Sequence, residues 1–160
     1  MYAHENLKAA QAGIRASLPY LYELRAGSGL SRDTSRALDR AINAIDGGPT
    51  NANPAGLFLD LAESYYREQA SLTQFAGESH QLVWDYDPGY GLNPVPVRTE
   101  VYHEAMAMRL GKHAADLGAN PAAAAGLWLA ANFSREIDSP DEYDNPLYPA
   151  TNRGATYYAV

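Results

Sequence analysis

At 160 residues, 46% hydrophobic and 19% charged, the chain is long enough for one globular domain and too apolar for a disordered one. Its net charge of −7 and its 12 scattered Lys and Arg exclude a nucleic-acid groove, which needs clustered cations to neutralise phosphates. Having no cysteine, it excludes structural disulfides, thiolate catalysis and Cys-based zinc sites.

No window reaches the roughly 18 apolar residues of a membrane span, so none is expected. The first ten residues carry no apolar run of signal-peptide length, which leaves the compartment open and favours the cytoplasm. Leu7, Ala10, Ile14, Leu18 and Leu21 are spaced as one stripe of an amphipathic helix, and Pro19 should kink or divide it near Ser17. After Ala26-Gly27-Ser28-Gly29, Ser31 or Asp33 can cap a second helix with Leu38, Ile42 and Ile45 on its apolar face, ending at Gly47-Gly48.

Asn53-Pro54 opens a third helix, Asn as cap and Pro where a missing N–H costs nothing; Leu57, Phe58, Leu61, Ala62 and Tyr65 line its apolar face. From His80 to Val97 the Pro, Gly, Asp and Tyr content predicts a turn-rich aromatic loop that cannot be a helix. Such a loop is long for a compact domain, which suggests that it packs on the helices or meets a partner. A fourth helix starts near Thr99 and carries Val101, Ala105, Met108 and Leu110. Asn120-Pro121 opens a fifth, through Leu127, Trp128 and Ala131. Residues 139–160 read as an extended Pro-, Asp- and Tyr-rich tail.

The chain also matches itself. Ala55-Gly56-Leu57-Phe58-Leu59 returns as Ala125-Gly126-Leu127-Trp128-Leu129, each copy following an Asn-Pro pair and running into Arg-Glu. An Ala-rich helix ending at glycine precedes both. The expected architecture is therefore all-α: about five helices, as two stacked helical-hairpin units (roughly 31–70 and 98–138) after an N-terminal helix, with the 80–97 loop between them.

Ala41, Asn43-Ala44-Ile45, Asn53-Pro54 and Leu61-Ala62 resemble the second helix of one tetratricopeptide unit running into the first of the next, as do Ala107, His113-Ala114-Ala115, Asn120-Pro121 and Leu129-Ala130. The units are longer than the roughly 34 residues of that repeat, so a HEAT-like solenoid with elaborated loops is the nearer resemblance. It implies a protein- or peptide-binding scaffold and brings no shared catalytic residues. A single helical hairpin cannot cover its own apolar face, so such units stack or dock onto another subunit.

Chemistry-bearing patterns are sparse. His103-Glu104 lacks a second histidine at helical spacing, and His113 lies nearly three turns on, so His4, His80, His103 and His113 read as partly exposed and not as metal ligands. Asp85-Tyr86-Asp87-Pro88-Gly89 opens like a calcium loop, but Pro96 stands where such a loop needs its last glutamate. No phosphate loop, nucleophile elbow or catalytic triad is present. No catalytic residue, cofactor or metal is expected. Tyrosine is abundant, 12 in all, and offers large contact area with one polar tip. The expected function is protein binding or self-assembly, with Trp84, Tyr86 and Tyr90 on the loop and Tyr157 and Tyr158 at the end as contact residues. Two alternatives stand beside it: a subunit of a homopolymeric filament or shell, and a small-molecule-binding protein or enzyme with a pocket near Trp128, Tyr102 and His103.

Overall fold

The structure, a computed structural model, describes residues 15–47 and 52–149. Leu7, Ala10, Ile14, Tyr157 and Tyr158 lie outside the described residues. Helix α1 (Leu18–Ala26) begins where Pro19 requires, with the proline in its first turn. Helix α2 (Arg32–Asp46) is capped by Ser31, whose hydroxyl accepts the Thr34 N–H at 3.1 Å. It stops at Gly47, which takes a left-handed φ of 77° and donates its N–H to the Asn43 carbonyl.

Helices α3 (Pro54–Tyr66) and α5 (Pro121–Asp138) both start on an Asn-Pro pair. The Asn53 side chain accepts one backbone N–H, from Ala55, and Asn120 accepts two, from Ala122 and Ala123. Between them a short 3-10 turn (Ala70–Leu72) leads to two strands, and a second one (Thr99–Val101) leads into α4 (Tyr102–Asp116).

Helix α4 is the centre of the packing. Tyr102, Ala105, Ala107, Met108, Leu110 and Ala114 are all buried on it. Helix α3 covers one side with Phe58, Ala62 and Tyr65, and α5 covers another with Ala131, Leu127 and Trp128. The Phe58 ring is wholly enclosed, edge-on to Tyr20 at 4.8 Å and to His113 at 4.6 Å between ring centres. Burying a ring of this size stabilises the fold by roughly 1.5–3 kcal/mol.

The loop expected over 80–97 is a β-hairpin, which corrects an all-α description: among the described residues the fold is five helices plus a two-stranded antiparallel sheet. Strand β1 (His80–Asp87) pairs with β2 (Gly91–Arg98), in a register that sets Leu82 opposite Pro96 and Trp84 opposite Pro94. The Asp87 carboxylate closes the turn by accepting the Gly89 and Tyr90 N–H groups at 2.7 and 3.0 Å. The prolines that argued for a loop sit at edge positions, where a strand tolerates them.

The 31–70 unit also differs from the expected hairpin. Helices α4 and α5 pack closely, but α2 lies chiefly against α1, where Ile42 meets Leu18 and Tyr22 and Leu57 of α3 only borders the cluster. The narrow apolar stripe of α2 is satisfied there. Nor do residues 139–149 trail away. The Asn145 side chain accepts the Leu147 N–H at 3.0 Å, and Tyr143, Leu147 and Tyr148 pack on the core.

Candidate functional site

Side chains alternate across a strand, so the hairpin has two faces. Gln81, Val83 and Val97 point inward and are buried. Gln81 ties the preceding loop in place: its Oε1 accepts the Phe75 N–H, and its Nε2 donates to the Phe75 carbonyl and to Thr99 Oγ1. The opposite face carries Trp84, Tyr86 and Leu92, which are 52%, 68% and 67% exposed, and Tyr90 at the turn is 88% exposed. Three of the expected contact residues thus share one hairpin, with Trp84 and Tyr86 on its outer face. Leu92, Pro94 and Pro96 join them as cross-strand neighbours. Sequence reasoning missed these three because strand pairing is what makes them neighbours.

Beside the hairpin runs an open cleft of about 990 Å³. Leu82, Val83 and Trp84 form one wall, α4 supplies Met106, Arg109 and Leu110, and Leu61, Leu72 and Tyr20 complete it. Ligand pockets span roughly 300–1,000 Å³, so this one is at the generous end. Its charged side chains and its histidine all have partners. Arg109 meets Asp85 at 3.1 Å, His113 meets Glu23 at 3.0 Å, and Lys112 meets Asp116. Asp85 and Asp87, which resembled the start of a calcium loop, are engaged in an ion pair and a turn.

The cleft also reaches Tyr65, Thr73 and Gln74, which connect it to a buried polar cluster. Thr73 Oγ1 lies 2.9 Å from His103 Nε2, and Gln74 donates to the Tyr102 hydroxyl at 3.2 Å. Tyr65, Tyr102 and His103 meet edge-on or tilted, with ring centroids 5.5–5.9 Å apart. His103 is buried and not a partly exposed helix histidine; enclosure in α4's packed first turn lowers its pKa by desolvation. Desolvation likewise raises Tyr65 and Tyr102. The neighbouring Glu104 is pushed up to about 7, first by burial and further by the negative fields of Glu68 and Asp138. Tyr102 and His103 stand behind the cleft wall and do not line it, and Trp128 packs in the core on α5.

Among the described residues no group of three or more His, Asp or Glu is arranged to hold a metal ion, and no helix is long and apolar enough to cross a membrane. The chain matches no protein-family profile, no curated protein and no solved structure.

Proposed function

We propose that this chain is a non-catalytic protein-binding module whose contact surface is the outer face of the β-hairpin. One observation carries the reading: Trp84, Tyr86, Tyr90 and Leu92 are displayed to solvent on a hairpin whose base is fixed in the core through Gln81, Val83 and Val97. Large aromatics cost little conformational entropy to immobilise and dominate binding energy where surfaces meet. A contiguous exposed apolar patch on an otherwise acidic chain marks an interaction site. The partner is a protein or a second copy of the chain.

A photo-reactive residue placed at Tyr90, compared with one at the exposed Arg40 of α2, tests the reading in the cells that make the protein. A discrete cross-linked species at position 90, absent at 40 and lost with Trp84→Ser, is the expected result. Equal labelling at both positions overturns it.

A second reading, small-molecule binding or catalysis, draws on the cleft and on the polar cluster that Thr73 and Gln74 connect to it. A ligand held there would change the fluorescence of Trp84, which lines the cleft.

A further inference from the structure

The hairpin's two outer edges are unlike, and the difference has a consequence for what docks beside it. In an antiparallel pair, alternate residues turn their N–H and C=O groups toward the partner strand and the rest turn them away. Proline has no N–H to give the ladder, so Pro94 and Pro96 occupy outward positions of β2. Arg98 belongs to the same alternate set, and its N–H does point away from β1, donating to the Tyr143 hydroxyl at 3.1 Å. The β2 edge is thereby poor in donors: two outward positions lack an N–H, a third has a partner, and Leu92 beside the turn is the one that keeps its own.

By register, the outward residues of β1 are those facing Pro96, Pro94 and Leu92, namely Leu82, Trp84 and Tyr86. All three retain their N–H groups, and among the described residues no backbone group takes a bond from them outside the ladder. This open edge faces the cleft. The consecutive residues Leu82, Val83 and Trp84 all line it, as an edge does and a single face does not, and no residue of β2 lines it.

The cleft's size limits the occupant. A strand residue fills roughly 3.3 Å along the chain, 4.8 Å across the ladder and 10 Å between layers, so 990 Å³ accommodates about six residues of one strand. A second hairpin would not fit. The floor offers Leu61, Leu72, Met106 and Leu110 to alternate side chains of an added strand. The chain's net charge of −7 favours basic flanks on the incoming segment.

We infer that the open edge of β1 takes an extended segment of another protein as an added strand, apolar at alternate positions and flanked by basic residues. This rests on the protein-binding reading and supplies its mode. Main-chain pairing with Leu82 and Trp84 gives the affinity, and the apolar floor selects the side chains.

The probe is a synthetic peptide, Lys-Val-Thr-Val-Thr-Val-Lys, titrated against the full chain. Its twin carries N-methyl groups on alternate residues, which abolish strand pairing and keep the side chains. The unmodified peptide is expected to bind and the better-placed methylated register to bind at least about tenfold more weakly, the equivalent of one or two lost backbone bonds. Leu82→Pro, which makes β1 as donor-poor as β2 at that position, should weaken binding similarly, with circular dichroism checking the fold. Methylated and plain peptides binding equally, or neither binding, overturns strand addition. The aromatic-face reading survives that result if the cross-link at position 90 is still lost with Trp84→Ser. A photo-reactive group at Leu82 that captures a second copy, or the chain's own residues, in place of the peptide also overturns the proposal.

Discussion

Helix α3 lies between α1 and α4, whereas α5 leans on α4 with the 139–149 segment packed nearby. Both begin on Asn-Pro, and both Asn side chains cap the first turn. Beyond the caps the correspondence fades. Ala55 is buried and its counterpart Ala125 is exposed; Phe58 is enclosed and Trp128 only half-buried. A capping motif specifies where a helix starts. Which residues are covered depends on what packs on the helix: α3 is held between α1 and α4, whereas α5 meets chiefly α4.

That contrast can be broken by mutation. The largest effect is expected from Phe58→Ala, which deletes a ring packed between Tyr20 and His113 and should cost about 3–5 kcal/mol in denaturant unfolding. Trp128→Ala should cost clearly less, because part of that ring already meets water. Equal losses would restore the equivalence of the two helices.

Glu104 sharpens the comparison where the ends of α3 and α5 converge on α4. Its carboxyl sits near 7 in the fold against an ordinary 4.5, so the native state holds a proton that the unfolded chain has released between those values. Stability from this group is therefore greatest below about pH 4.5, falls as pH rises to about 7, and is level beyond. Glu104→Gln should raise stability at pH 8 by about 2–3 kcal/mol and leave it unchanged at pH 4. A thermal melt at the two pH values reads the difference, and an equal shift at both would refute a buried carboxyl here.

The smallest effects belong to the caps. Asn53→Ala and Asn120→Ala should each cost about 1 kcal/mol, with Asn120 the larger because it satisfies two N–H groups. Chemical denaturation of the two single variants checks the order.

The helices were legible because their signals are local. Ser31, Asn53-Pro54, Asn120-Pro121 and Gly47 each act within a few residues of where they stand. The hairpin was not. Its inward face includes a polar residue, Gln81, satisfied by the backbone of Phe75, so the apolar alternation that announces a strand is broken. Pro94 and Pro96 then read as loop residues, and only the pairing shows them to be edge residues. Trp84, Tyr86 and Tyr90 could be singled out as large aromatics in a turn-rich stretch, but their common hairpin could not. The cleft was invisible for a different reason: residues 16–23, 61–74, 82–84 and 106–116 meet only through folding. His103 was read as partly exposed because one helix turn does not reveal that Tyr65 and Thr73 close over it.

The contact between Tyr143 and the Arg98 N–H sets a limit on assembly. With that donor taken and prolines at two further positions, the β2 flank of the hairpin keeps one outward N–H, at Leu92, so strand addition of the kind proposed is one-sided there. A fibre grown from hairpin edge to hairpin edge would have to cross that donor-poor flank.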